Sequence, residues 1–204
     1  MVSWDERFRN GDYPRAPDPD PVLRAYVDSF PDGRALDVAT GTGRNAIFLA
    51  SHGYRVDAID QSEAGLKIAG EEARERGVAD RVSFERADAT EYEYTEAAYD
   101  VVTISFFRTL DRLADVKAAL APGGVLFYQH HLRTTEEVAR GPSTDRYRFA
   151  SNELLRACLD LTVLHYEETS SLYEGRPSAT VTLVARNTTG GAQSYPEHGP
   201  LDGE

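Results

Sequence analysis

One short stretch, Asp37-Val38-Ala39-Thr40-Gly41-Thr42-Gly43, constrains the fold more than any other part of the chain. The apolar residues 35–39 predict a buried strand that runs into it, and residues 44–50 predict a helix directly after it. Glycine tolerates positive φ and has no side chain, so the backbone can turn tightly and a ligand can approach its amide groups. The free N–H groups at the start of the helix favour negative charge. The stretch therefore predicts a nucleotide-like ligand at the end of a strand.

Strand and helix signals alternate along the rest of the chain. Strands are predicted near residues 54–59, 81–86, 100–105 and 125–129, with helices near 62–76 and 110–120. This alternation predicts a parallel sheet with helices on both faces, and two late strands near 162–167 and 179–186 suit an antiparallel hairpin. We predict an N-terminal lid segment and helix at 1–33, a main domain at 34–186 and a disordered tail at 187–204.

The composition disfavours several classes of protein. The 204 residues include 22 basic and 34 acidic side chains, a net charge of −12 that repels nucleic acid and anionic membranes. No apolar run approaches the roughly 20 residues that span a bilayer, and the first residues lack the features of a signal peptide. Cys158 is the single cysteine, so no internal disulfide is predicted. We expect a cytoplasmic monomer or homodimer that acts on a small molecule.

Polar residues follow the predicted strands at one edge of the sheet, where open α/β sheets bind ligands. Asp60 ends the second strand, with Gln61 beside it, and its carboxylate can accept both hydroxyls of a ribose. Asp88 follows the third strand and can accept the exocyclic amine of an adenine, although capping a helix is the alternative role. Ser105 ends the fourth strand. Together these strand ends predict a nucleoside pocket.

The glycine spacing leaves two ligands open. Gly41, Gly43 and Ala46 also satisfy the dinucleotide pattern G-x-G-x-x-G/A, so a nicotinamide-dependent oxidoreductase is an alternative. Asp37 disfavours it, because a carboxylate near a pyrophosphate is repulsive, whereas one near an ammonium group is useful, directly or through water. The antiparallel hairpin also replaces the further βαβ units of such enzymes. The ligand that needs an ammonium, a ribose and an adenine site is S-adenosylmethionine.

The glycine stretch, Asp60, Asp88-Ala89 and Pro122-Gly123-Gly124 resemble the successive motifs of class I S-adenosylmethionine-dependent methyltransferases over about residues 34–186. The resemblance implies a three-layer, Rossmann-like, mostly parallel sheet of seven strands in the order 3-2-1-4-5-7-6, with strand seven antiparallel. It also implies that Asp37 and the loop backbone hold the methionine part, Asp60 the ribose and Asp88-Ala89 the adenine. One departure is Ala39-Thr40, where the family often has glycine and then cysteine or serine. The predicted cofactor-binding residues are Asp37, Ala39, Gly41, Gly43, Asn45, Asp60, Gln61, Asp88, Ala89 and Ser105.

Four further segments give a narrower resemblance. The opening Trp4-Asp5-Glu6-Arg7-Phe8, the helix start Gly43-Arg44-Asn45-Ala46, and Asn152-Glu153-Leu154-Leu155 with residues 166–168 are similar to tellurite-resistance-type and thiopurine-type small-molecule methyltransferases. In those families an N-terminal aromatic segment folds over the cofactor. The resemblance implies that Trp4 and Tyr13 are lid residues; a hydrophobic anchor for the N-terminus is the alternative.

The methyl acceptor is less constrained by the sequence. The fourth strand ends Ile104-Ser105-Phe106-Phe107, without the Asp/Asn-Pro-Pro-Tyr/Phe clamp that is used on amide and exocyclic nitrogens. Methylation of a soft anion or thiol on sulfur, selenium or tellurium is favoured, because such a nucleophile needs little more than positioning. A relative that binds the cofactor without transferring a methyl group is the alternative function.

Residues after the fifth strand supply the candidates for catalysis and acceptor binding. His130 or His131 can act as a base for O-methylation, and an arginine cluster can receive an oxyanion. Adjacent strand residues point to opposite faces and no third ligand has suitable spacing, so no metal site is predicted. Solvated loop arginines and histidines that cap the strand are the alternative. The arginine cluster consists of Arg133, Arg140, Arg146 and Arg148. Besides the lid residues Trp4 and Tyr13, the acceptor-side candidates are Phe106, Arg133, Arg146 and Tyr147.

Overall fold

The structure is a computed structural model that describes residues 3–15, 17–135, 141–173, 176–188 and 192–197. Its helices are α1 (Trp4–Arg9), α2 (Pro21–Tyr26), α3 (Arg44–Ser51), α4 (Glu63–Glu75), α5 (Leu113–Ala118) and α6 (Glu153–Ala157). Its strands are β1 (Arg34–Val38), β2 (Arg55–Asp60), β3 (Val82–Arg86), β4 (Tyr99–Ser105), β5 (Leu120–His131), β6 (Thr162–Tyr173) and β7 (Arg176–Arg186). Short 3-10 helices lie at Val27–Ser29, Ala79–Arg81, Leu110–Arg112 and Asp145–Tyr147.

All seven strands form one sheet in the order β3-β2-β1-β4-β5-β7-β6. β1 pairs in parallel with both β2 and β4, while β7 runs antiparallel to β5 and β6. The sequence prediction of the fold is therefore confirmed. Because the strand order reverses between β1 and β4, the connections on either side leave a crevice at the carboxyl ends of these two strands.

Alternate residues of the strands face two separate cores. Ala35, Val101 and Phe127 pack against α2 and α3, and we call this side of the sheet the α3 face. On the other side, Leu36 and Tyr128 pack in a core with residues of α5 and α6. Side chains alternate along a strand, so the α3 face also carries the side chains two positions further on. At the carboxyl edge these are Asp37, Thr103, Ser105, Gln129 and His131.

Three strands are longer than the sequence predicts. β5 begins at Leu120 and includes Pro122-Gly123-Gly124, ahead of the strand that the sequence predicts near residues 125–129. Its pairing with β4 is irregular between Tyr99 and Val101. β6 and β7 extend to Tyr173 and from Arg176, because they pair with each other along their whole length.

Gly43 connects the loop to α3 in a conformation that a larger residue would not allow. Its φ is +88°, and a Cβ there would lie 2.9 Å from both Ala69 Cβ and Ile47 Cδ1. Glycine is therefore needed both for the left-handed backbone and for the close approach of α3 to α4. Ser62 caps α4, since its side chain accepts a hydrogen bond from the Gly65 N–H at 3.1 Å.

The N-terminal segment is part of the folded structure. Val22, Leu23 and Tyr26 of α2 are buried in the core of the α3 face. The division of the chain at residues 33 and 186 stays a prediction. Among the described residues, no helix is long and apolar enough to cross a membrane.

Candidate functional site at the carboxyl ends of the strands

Asp37, near the end of β1, organises the glycine loop from beneath. Its Oδ2 accepts hydrogen bonds from Thr40 Oγ1 at 2.6 Å and the Ala46 N–H at 3.2 Å. Its Oδ1 accepts from Thr103 Oγ1 at 2.7 Å, and Asn45 Nδ2 lies 3.5 Å away. The side chain is 1% exposed, and burial raises the pKa of the carboxyl, although these hydrogen bonds act in the opposite direction. Asp37 thus fixes the loop and the start of α3; its predicted role toward an ammonium group stays a prediction.

The loop itself adopts a left-handed backbone at two further positions. Ala39 and Gly41 both have a φ of +57°. Left-handed φ is unusual for alanine, and this is the position where the resembled family often has glycine. A Cβ on Gly41 would lie 3.3 Å from the ring of Phe8, so the loop is covered closely on its outer side.

Asp60, at the end of β2, connects two segments that surround the crevice. Its Oδ2 accepts from the Gly41 N–H and its Oδ1 from the Ser62 N–H, both at 2.8 Å. Each carboxylate oxygen has a second lone pair, so the group retains capacity for two more donors, which is what a ribose offers. Burial raises the pKa of Asp60, and its side chain keeps 8% exposure. The residue fits the ribose role that the sequence predicts.

Asp88 and Ala89 follow β3 at the same edge. Asp88 is exposed, and its Oδ1 accepts from both the N–H and the hydroxyl of Thr90, at 2.8 and 2.7 Å. These bonds lower its pKa and form a local turn, so the capping role exists beside the predicted adenine role. Ala89 is buried, and Gln61 is exposed next to Asp60. Their contacts with a cofactor stay predictions.

Three aromatic rings of the N-terminal segment lie above the glycine loop. Phe8 is 8% exposed and would contact a Cβ added at either Gly41 or Gly65. Trp4 and Tyr13 pack on each other with ring centroids 5.4 Å apart, and Tyr13 lies 5.5 Å from Phe8. The two outer rings remain about 40% exposed, at 42% and 39%. Phe8, which the sequence analysis does not select, is the buried ring of this group, and the role of Trp4 and Tyr13 as lid residues stays a prediction.

Hydrogen bonds attach this segment to the site. Asp5 Oδ1 accepts from Ser62 Oγ at 2.6 Å and from the Ala64 N–H at 3.0 Å, at the start of α4. Thr42 Oγ1 donates to the Pro14 carbonyl at 3.1 Å. These hydrogen bonds therefore fix the N-terminal segment against the glycine loop and the start of α4. The acidic residue one position after Trp4 could have indicated this contact, but its partner lies 57 residues away.

The two candidate histidines lie on opposite faces of β5. His130 faces the α5 side, where its ring lies 5.4 Å from that of Phe149 and its Nε2 donates to the Tyr147 carbonyl at 2.7 Å. Burial lowers its pKa to about 4, so it is a poor base near neutral pH. His131 lies on the α3 face with its ring 4.7 Å from Phe106. Geometry therefore favours His131 of the two.

The arginine cluster does not converge on the crevice in the part of the chain that the structure describes. Arg133 Nε donates to the Asp145 carbonyl at 3.1 Å, and the exposed Arg146 bonds the hydroxyl of its neighbour Tyr147. Arg148 is 3% exposed and donates to backbone carbonyls, including that of Leu132 at 3.0 Å. Arg140 lies outside the described residues. No grouping of histidine, cysteine or acidic side chains within the described ranges could hold a metal ion.

The ends of β4 and β5 complete the site. Ser105 Oγ accepts from Asn45 Nδ2 at 3.0 Å, which connects β4 to the first turn of α3. Phe106 follows with a φ of +59° and a ring that is 37% exposed. The predicted cofactor-binding residues thus lie along the ends of β1 to β4, and the aromatic candidate Phe106 lies at the β4 end of that row.

The sheet order and the loop geometry are those of a class I S-adenosylmethionine-dependent methyltransferase domain. Residues 35–124 of this chain match the family model described as a methyltransferase domain. Demethylmenaquinone methyltransferase of Bacteroides fragilis is 31% identical over 109 residues, which cover 50% of this chain and 44% of that protein. The chain thus spans about half the length of that curated relative.

Solved structures share the fold at low sequence identity. The crystal structure of TehB from Haemophilus influenzae has a TM-score of 0.69 at 22% identity, covering 90% of this chain and 66% of that one. The cyclase SpnF has a TM-score of 0.65 at 23% identity, covering 83% and 79%. These likenesses support the fold, and S-adenosylmethionine is the cofactor of this class.

Proposed function

We propose that this chain transfers the methyl group of S-adenosylmethionine to a small-molecule acceptor. The observation that carries the proposal is the carboxylate of Asp60, which bonds the Gly41 amide and has capacity left for the two hydroxyls of a ribose. When bound, the cofactor supplies a methyl group on a sulfonium centre that is already activated for displacement. The protein's share is to align the acceptor and to exclude water.

The acceptor that we favour is a soft anion or thiol. As a thiolate or another soft anion, such a nucleophile has no proton to remove, and His130 is unsuited to removing one because burial lowers its pKa to about 4. The similarity to tellurite-resistance-type and thiopurine-type enzymes supports this preference, as does the aromatic lid of Trp4, Phe8 and Tyr13 over the loop. The sequence predicts Arg133 and Arg146 as candidates for binding the anion.

O-methylation with His131 as general base is the second candidate. The observation in its favour is the position of His131 on the α3 face, 9% exposed and beside the ring of Phe106. With a phenolic acceptor, His131→Gln would then remove the rise of kcat/KM with pH, whereas His52→Gln, at an exposed position, would leave it. An unchanged pH profile in His131→Gln would reject the base role.

A cofactor-binding protein that does not transfer methyl groups is the remaining alternative. It is favoured by one finding, that a protein with this fold carries the name of a cyclase. Titration calorimetry separates the possibilities. We expect S-adenosylhomocysteine to bind and NADH not to bind, followed by release of S-adenosylhomocysteine with a thiol or phenol panel. Binding without release would favour the non-transferring alternative, and binding of NADH alone would contradict both.

A further inference from the structure

Five residues form a group at the ends of β4 and β5 and the start of α3. Only one of them, Asn45, belongs to the predicted cofactor-binding residues. We call Arg44, Asn45, Phe106, Gln129 and His131 the β4–β5 cluster. The ribose and adenine candidates lie at β2 and β3, on the other side of β1. The cluster therefore adjoins the methionine end of the site, where the acceptor has to approach.

Arg44 is a half-buried cation that forms no ion pair with a described residue. Its Nε donates to the backbone carbonyl of Asp18 at 2.7 Å, and its guanidinium carbon lies 5.8 Å from the ring centroid of Phe106. One donor of five is used by that carbonyl, and an arginine presents its remaining donors in a fork that suits a carboxylate. Burial lowers the pKa of Arg44, and the nearby carboxylates of Asp20, Asp37 and Asp18 act in the opposite direction. An anionic ligand in contact with the guanidinium would offset more of the cost of desolvation.

Two buried carbonyl oxygens of the cluster have no hydrogen-bond partner among the described residues, Asn45 Oδ1 and Gln129 Oε1. The side chains are 2% and 6% exposed. Their orientation is fixed, because the Gln129 amide nitrogen donates to the Asp20 carboxylate and the Asn45 nitrogen to Ser105 Oγ. An unpaired buried acceptor costs free energy, so a ligand N–H or O–H that reaches it is favoured.

Phe106 is held in a strained conformation with its ring partly in solvent. Its φ of +59° is an outlier for a bulky residue, and its N–H donates to the Gln129 carbonyl at 2.9 Å. The guanidinium carbon of Arg44 lies 5.8 Å from the centroid of the Phe106 ring, and the ring of His131 lies 4.7 Å from it. The ring still keeps 37% exposure in this strained conformation, so packing alone does not account for the strain.

We propose that the β4–β5 cluster binds the methyl acceptor as a planar organic acid, with Arg44 paired to its carboxylate. The planar part lies against Phe106, and a hydroxyl, thiol or amine of the acceptor donates to Gln129 Oε1. This inference rests on the proposed methyl transfer. It assigns the anion to Arg44 rather than to Arg133 or Arg146, whose side chains bond loop groups.

The test compares carboxylate acceptors with neutral ones on the full chain. The probes are para-hydroxybenzoate and para-mercaptobenzoate, each paired with the matching benzamide, at saturating S-adenosylmethionine. We expect the wild-type protein to prefer the carboxylates by about tenfold or more in kcat/KM, as the loss of a charge-assisted hydrogen bond implies. Arg44→Gln should abolish this preference mainly through KM, Arg44→Lys should retain part of it, and Arg55→Gln, at an exposed position on β2, should keep it.

Other outcomes would overturn the proposal. Wild-type protein that methylates the amides as well as the acids, or that methylates neither while methylating neutral thiols, would contradict it without affecting the proposed function. If Arg44→Gln weakens binding of S-adenosylhomocysteine but not of methylthioadenosine, which lacks the amino-acid part, Arg44 holds the cofactor carboxylate instead. Phe106→Gly supplies a second variant: it relieves the positive φ, so it should fold while raising KM for the acids. An unchanged KM in that variant would argue against the planar contact.

Discussion

At the scale of single residues, the buried acids and His130 derive their properties from what surrounds them. Asp37 is buried with donors on both oxygens, and Asp60 with one on each. His130 has a carbonyl partner on one nitrogen and the ring of Phe149 beside it. The sequence could indicate that these residues stand at strand ends. It could not indicate that adjacent histidines would differ so much in environment, since that depends on what packs on each face of β5.

His130 should make the protein sensitive to acid. Its pKa is about 4 in the folded state against 6.5 for the ordinary group, so the unfolded chain takes up a proton that the folded chain excludes. Stability is therefore lost as pH falls from about 6.5 to about 4, by on the order of 3 kcal/mol. Chemical denaturation of wild type and His130→Gln across this range should show the steeper loss in wild type.

Wild type has to be compared with His130→Gln because other titratable groups change the stability with pH in the opposite direction. The raised pKa values of Asp37 and Asp60 make the folded state bind protons more readily, which adds stability as pH falls. Glutamine can still donate to the Tyr147 carbonyl, so the variant retains that hydrogen bond. Parallel pH dependence in wild type and variant would show that His130 titrates as an ordinary surface histidine.

At the scale of elements, the connection from β1 to α3 is the most predictable part of the molecule. The glycines of this connection can be predicted from sequence because the chemistry of such a turn is local. The packing of α1 on the loop was only partly readable, because Asp5 meets Ser62 across 57 residues of sequence. The sequence underestimates the length of β5, because Pro122-Gly123-Gly124 is typical of a turn but continues the strand in the structure.

Gly43 should tolerate alanine much less well than another glycine of the same backbone type. A Cβ at Gly43 would lie 2.9 Å from Ala69 Cβ and from Ile47 Cδ1, whereas at Gly77, with a φ of +70°, nothing lies within 4 Å. Both variants incur about 1 kcal/mol for left-handed alanine, and Gly43→Ala adds overpacking of roughly 1–3 kcal/mol. Thermal and denaturant unfolding should rank wild type above Gly77→Ala and that variant above Gly43→Ala. Equal losses would mean that α3 and α4 are not closely packed there.

At the scale of the whole molecule, the charge of −12 is the dominant property that the fold does not explain. Surface ion pairs such as Arg34–Asp57 and Lys117–Asp160 neutralise a part of it. The remaining acidic excess is consistent with the prediction that the partner is a small molecule rather than nucleic acid, which stays a prediction. Repulsion among like charges also works against the compact state.

Added salt should therefore stabilise the protein at neutral pH. Raising sodium chloride from about 0.05 M to about 0.5 M shortens the screening length severalfold, which weakens the net repulsion. We expect Tm to rise over this range at pH 7 and to change little near the isoelectric point of about 4.9, where the net charge vanishes. A fall in Tm at pH 7 would mean that attractive pairs dominate over repulsion.

The measurement that tests the central claim most directly is titration calorimetry of S-adenosylhomocysteine into wild type, Asp60→Asn and Asp57→Asn. Asp60 ends β2 at the crevice, while Asp57 lies three residues earlier on the same strand and pairs with Arg34. We predict one-to-one binding to wild type, a loss of about tenfold or more in Asp60→Asn, and unchanged affinity in Asp57→Asn. Absence of binding to wild type, or equal affinity in all three proteins, would contradict the assignment of this site.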